Sequence, residues 1–148
     1  MVADEAAGAV AAARGANRLY VVAAWVPRRE EIGVGSLGRV TFARGWYAYV
    51  GSARRGRDAR VARHRRADKP LRWHADHLFA RHPATRAWLI DTDLTECELA
   101  RLVRKGAGKV ADEGWAAGFG AGDCGCEGHL VAVRRLEALA AAVAPLTR

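Results

Sequence analysis

Gly45-Trp46-Tyr47-Ala48-Tyr49-Val50-Gly51-Ser52-Ala53, followed by Arg57-Asp58-Ala59-Arg60-Val61-Ala62-Arg63-His64, decides how this chain reads. Aromatic and β-branched residues crowd into Trp46 to Val50, as in a half-buried strand. Gly51-Ser52 reads as a turn, and a helix over 56–66 follows. Arg60 and His64 stand one turn apart on the same face of that helix. Strand and helix would then bring the phenols of Tyr47 and Tyr49, a guanidinium and an imidazole to one corner. Such a set can grip a phosphodiester and move a proton.

Working outward, Leu19 to Val26 is rich in β-branched and aromatic residues and stops at Pro27, so it reads as a strand. Gly33 to Gly38 is a turn cluster, and Arg39 to Phe42 a short second strand. Three consecutive strands with short turns predict an antiparallel meander. A second helix is expected over 71–81, with Trp73 in the core and His74 towards a groove. Trp88 to Ile90 could return as a strand. Thr95 can cap a helix from Glu96 to Arg104 whose positive first turn holds Glu96 and Glu98. A Gly-rich loop over 114–128, a short strand from Val131 and an apolar helix from Leu136 to Val143 complete the pattern. The predicted class is α/β of the α+β kind, a small central antiparallel sheet flanked by helices. Residues 1–17 are Ala/Gly-rich and read as a flexible tail, leaving 18–148 as a single domain.

The 148 residues are enough for one domain burying about two-thirds of its unfolded surface. Apolar runs are broken well short of the roughly 20 residues of a membrane span. Asp4 and Glu5 stand where a signal peptide needs basic residues, so no membrane association and a cytoplasmic location are expected. The net charge of +8 is concentrated. Arg54, Arg55, Arg57, Arg60, Arg63, Arg65, Arg66, Lys69 and Arg72 face only Asp58 and Asp68, a surplus of +7 in one segment. A charge run is often just a solvated face, but this one directly follows the aromatic strand, which points to nucleic acid.

The odd cysteine count, Cys97, Cys124 and Cys126, argues against a disulfide framework. Cys97, Cys124, Cys126 and His129 make a permissible structural Zn²⁺ set, although C-x-C spacing is less typical than C-x-x-C. The plainer reading is buried thiols packing the C-terminal part.

Tyr49-Val50-Gly51, with Arg60 and His64 beyond it and Arg18-Leu19-Tyr20 before it, resembles the paired signature of the GIY-YIG nuclease superfamily. The first half has Arg18 where the family usually has Gly, and the Gly35–Gly38 turn lengthens the separation. Trp73-His-Ala-Asp76, Glu96-Cys-Glu-Leu-Ala100 and Phe119 to Cys126 leading to His129-Leu130 are similar to a small stand-alone branch usually labelled a domain of unknown function. These matches span roughly residues 18–133.

The resemblance implies an endonuclease dependent on Mg²⁺ or Mn²⁺ that hydrolyses phosphodiester bonds of duplex or branched DNA. It implies Tyr20 as base or water-orienter, supported by Tyr49. Arg60 becomes the phosphate clamp, His64 a proton relay or phosphate donor, and Glu96 the metal ligand, preferred over Glu98. Tyr20 could serve as a base only if cations lowered its pKa from about 10. Many relatives carry a late asparagine, whereas the one Asn here is Asn17. Each residue also has a plainer reading: packed tyrosines, a solvated arginine, a helix-surface histidine and helix-dipole acids. Two other functions therefore stay open, a nucleic-acid-binding module that does not cut and a zinc-stabilised interaction domain.

Overall fold

The computed structural model describes residues 17–109, 115, 117–120 and 128–147. Strand β1 (Asn17–Val26) lies inside a four-stranded antiparallel sheet of order β5-β1-β4-β6, with β4 Gly45–Ser52, β5 Arg86–Thr92 and β6 Leu130–Val133. Alternation along β1 sends Leu19, Val21 and Ala23 to one face and Tyr20, Val22 and Ala24 to the other. Both faces are covered, which is why β1 reads as an unbroken apolar run. On the first face lie α3 (Glu96–Ala107) and α4 (Leu136–Val143), burying Leu99, Val103, Leu139 and Val143. On the second lie the hairpin of β2 (Glu30–Gly33) and β3 (Arg39–Phe42), with α1 (Arg57–His64) and α2 (His74–Arg81). The molecule is thus α+β, as expected.

The expected meander is not what forms. β3 pairs with β2 in a separate two-stranded ribbon, and β4 pairs directly with β1. The cause is the tight turn between them, where Val34 N–H donates to Gly38 O at 2.7 Å and Gly38 takes a φ of 77°. Reversal after four residues leaves Glu30–Gly33 as the only partner in reach. Asn17, assigned to the tail, opens β1 instead, and its side-chain amide donates to Leu94 O at 2.8 Å. Gly51 and Ser52 are the last residues of β4 rather than a turn. Trp73, expected in the core, is 41% exposed at the start of α2.

Helix α3 is capped as its sequence predicts. Thr95 Oγ1 accepts from Glu98 N–H at 3.1 Å, and Glu98 Oε1 accepts from Thr95 N–H at 2.9 Å. Among the described residues no helix is long and apolar enough to cross a membrane.

Candidate active site

The β1–β4 register sets Tyr20 opposite Gly51 and Val22 opposite Tyr49, so both phenols rise from the same sheet face. Gly51 is needed there. A Cβ at this position would lie 2.4 Å from the Tyr20 ring, so only glycine lets the phenol cross β4. Helix α1 follows within a few residues and returns His64 over that face. The Tyr20 hydroxyl and His64 Nε2 are 2.8 Å apart, and the Tyr49 and His64 ring centres 5.5 Å apart. Phe79 closes the other side of the imidazole at 5.1 Å.

Tyr47, first read as one of the two converging phenols, does not join them. Its hydroxyl donates to Ala43 O at 2.7 Å, and burial pushes its pKa up to about 12. Tyr20 supplies the second phenol of the corner.

Arg60 sits at the exposed rim. It donates to Ser52 O at 2.9 Å, and its guanidinium lies 5.0 Å above the Trp73 ring. Its positive charge acts on both Tyr20 and Tyr49, as does the negative charge of Glu96. Tyr20, Tyr49, Arg60, His64 and Glu96 therefore form one electrostatic neighbourhood. It lies where β4 and β5 end and α1 and α3 begin.

Burial rules the protonation states. It raises the Tyr20 pKa above the ordinary phenol value despite Arg60, and raises that of Tyr49 further. The condition for Tyr20 to exist as a phenolate at neutral pH is thus not met. His64, 2% exposed, is driven down to about 4 by burial, with Lys69 adding to the effect. At neutral pH it is uncharged and able to accept a proton. It is buried against the Tyr20 hydroxyl and the Tyr49 and Phe79 rings.

Glu96 keeps 32% of its side chain exposed, and its Oε2 is 3.6 Å from His129 Nδ1. Glu98 instead closes the α3 cap, which separates the two acids as expected. Cys97 Sγ is 3.5 Å from His129 Nε2. Cys124 and Cys126 lie outside the described residues, and among those described no three metal-ligating side chains form a group.

The basic segment divides. Arg54, Arg55, Arg60, Arg65, Arg66 and Arg72 are exposed. Arg57, expected to contact nucleic acid, is 7% exposed and donates to Leu19 O at 3.1 Å and to Asp91 at 2.7 Å. Arg63 is held in a two-point pair with Asp76, at 3.1 and 2.9 Å. Lys69 donates to Arg63 O at 2.8 Å and is only partly exposed. These three brace the fold rather than face solvent.

Residues 19–148 match the family model described as domain of unknown function DUF123. The chain belongs to that family. No curated protein and no solved structure matches it.

Two features of this DUF123 chain escaped the sequence reading. Buried Asp76 accepts from Arg72 N–H at 2.7 Å and Trp73 N–H at 2.9 Å besides Arg63, and so fixes the turn on which Trp73 stands. Burial works to raise its pKa, but Arg63 and the two backbone donors hold it below the usual carboxylate value. Gly120 packs so close to Tyr49 that a Cβ there would fall 2.8 Å from its ring. Gly120 N–H donates to His74 Nδ1 at 2.9 Å, so His74 anchors this loop instead of facing an open groove. The only signals were the Trp73-His-Ala-Asp76 motif and the glycine-rich composition around 120.

Proposed function

We propose that this DUF123 domain is a divalent-cation-dependent endonuclease of the GIY-YIG type acting on DNA. The observation that carries this reading is the convergence of Tyr20, Tyr49, Arg60 and His64, with Glu96 nearby, beside the exposed arginines of the 54–72 segment. The mixture fits phosphodiester hydrolysis, which needs an activated water and neutralised phosphate charge.

Attacking water gives its proton to the Tyr20 oxygen while the Tyr20 hydroxyl proton passes to His64 Nε2. This concerted transfer avoids a free phenolate, which burial disfavours. It also uses the neutral imidazole that burial maintains. His64 positions the phenol and takes its proton only transiently: burial and the charge of Lys69 disfavour the imidazolium more than Asp76 favours it, so the proton is quickly passed on. Arg60, with its planar fork, binds two phosphate oxygens at the rim. Tyr49 packs edge-on against His64 and holds the imidazole in place.

Glu96 fits a single Mg²⁺ or Mn²⁺, because its carboxylate is partly exposed while Glu98 is engaged in the cap. Bound there, the ion would neutralise charge on the scissile phosphate.

Supercoiled plasmid incubated with the protein and Mg²⁺ tests the proposal. Relaxation that stops with EDTA and is abolished in Tyr20→Phe is expected; plasmid left intact over a range of metal and enzyme concentrations overturns it. Binding without cleavage is the second reading, favoured by the exposed arginines alone, and it would leave a mobility shift on intact plasmid.

A further inference from the structure

At the opposite end of the sheet from the Tyr20 corner lies a groove of about 470 Å³. Gly51 lies five residue steps along β4 from Trp46, which is about 17 Å of strand. Trp25, next to last in β1, and Trp46, second in β4, are cross-strand partners whose rings stand 5.6 Å apart at 58°. Arg44, Lys109 and Arg134 line the groove with them, and among the described residues none that lines it is acidic. Arg44 stands 5.1 Å over the Trp25 ring, and Arg86 stands 5.7 Å over that of Trp46.

The walls are fixed before any ligand arrives. Lys109 N–H donates to Ala132 O at 2.7 Å, locking its backbone to β6. Arg134 donates from Nη2 to Gly106 O at 2.6 Å and from its backbone to Ala107 O at 2.9 Å. Trp25 nevertheless remains 37% exposed.

Trp25 and Trp46 are direct cross-strand partners, which steadies the sheet, but Trp25 is left open to solvent beside Arg44, Lys109 and Arg134. The required ligand is planar and apolar on its faces and anionic at its edge. An acidic peptide offers the charge without the plane, and duplex DNA keeps its base faces stacked inside. An unpaired nucleotide offers both: its base stacks on Trp25 while Arg44, Lys109 and Arg134 take its phosphates.

We infer that this groove is a single-strand nucleic-acid site, separate from the Tyr20 corner and independent of whether that corner cuts. The proposal follows from the Trp25–Trp46 pair being open, rigidly walled and, among the described residues, ringed by basic side chains without an acidic one.

The test uses the full chain carrying Arg65→Gln and Arg66→Gln, which weakens the other basic face. Fluorescein-labelled hexathymidylate is titrated by anisotropy while tryptophan emission is followed. Binding should quench tryptophan emission, and Trp25→Leu should weaken affinity about tenfold, as expected for loss of one stacked base. Arg44→Gln should weaken it and flatten the salt slope by about 0.7. Both positions are exposed, so circular dichroism should be unchanged. The inference is overturned if both variants bind hexathymidylate like the parent. It is also overturned if a hairpin duplex or hexaglutamate competes for the quenched site as well as unlabelled hexathymidylate does.

Discussion

The Tyr20 hydroxyl lies 2.8 Å from Nε2 of His64, although 44 residues separate them in the chain. Strand β1 supplies one partner and the end of α1 the other, and Gly51 of β4 clears the space between. In the mechanism proposed above, this contact is the route by which the Tyr20 proton reaches His64.

Its first consequence is a pH dependence of stability. His64 has a folded pKa of about 4, below its ordinary 6.5, because burial disfavours the charged ring. The unfolded chain therefore binds the extra proton first. Stability is fully present above pH 6.5 and is lost as pH falls towards 4, by about 3 kcal/mol. Denaturant unfolding between pH 7 and 4 should show this loss, and His64→Phe should flatten the curve.

Gly51→Ala should be as damaging to cleavage as Tyr20→Phe. The added methyl would lie 2.4 Å from the Tyr20 ring, which must swing away from His64 or displace β4. Tyr20→Phe removes only the hydroxyl and should leave the melting temperature nearly unchanged. A Gly51→Ala protein that cuts normally would mean Tyr20 need not occupy this position.

Arg60→Lys keeps the charge but loses the fork that bonds Ser52 O and faces solvent beside Trp73. Cleavage should fall roughly 10²-fold while DNA affinity changes little. Equal losses in cleavage and affinity, measured by single-turnover cutting and anisotropy, would reduce Arg60 to a general anchor.

The arginines of the basic segment should separate into two behaviours. Six are exposed, so log K should fall against log salt with a slope of about −5 if each neutralises one phosphate. Arg65→Gln with Arg66→Gln should reduce that slope by about 2 without affecting the melt. Arg57→Gln should do the reverse, leaving the slope intact but costing about 1–2 kcal/mol of stability through the lost hydrogen bonds to the Leu19 and Ile90 carbonyls and to the partly exposed Asp91.

What the sequence made legible was local. The apolar run of β1 and the aromatic run of β4 announced buried strands. Four-residue spacing aligned Arg60 with His64, Thr95 announced the α3 N-cap, and Leu136–Val143 came out with its observed bounds. What stayed hidden depends on pairings across the fold. Nothing in Arg57 itself distinguishes it from Arg54, and its burial follows from Asp91, 34 residues away. β2 carries two glutamates and a glycine, and it forms a strand only because the turn hands it to β3. Trp73 looked like core because tryptophan usually is. It stands outside because Asp76 holds its backbone at the helix start, where Arg60 and Arg63 cover its ring. The resemblance named Tyr20, Tyr49, Arg60, His64 and Glu96 together, but not that burial would raise the Tyr20 pKa or that its hydroxyl would lie 2.8 Å from His64 Nε2.

Relaxation of supercoiled plasmid in Mg²⁺ by wild type, Glu96→Gln and Glu98→Gln, run side by side, tests a metal held by Glu96 most directly. Wild type and Glu98→Gln should nick the plasmid at similar rates, since glutamine also serves the α3 cap. Glu96→Gln should bind it with unchanged or slightly higher affinity and leave it intact at every Mg²⁺ concentration. Cleavage by Glu96→Gln at the wild-type rate, or no metal-dependent cleavage by any of the three, would contradict that role of Glu96.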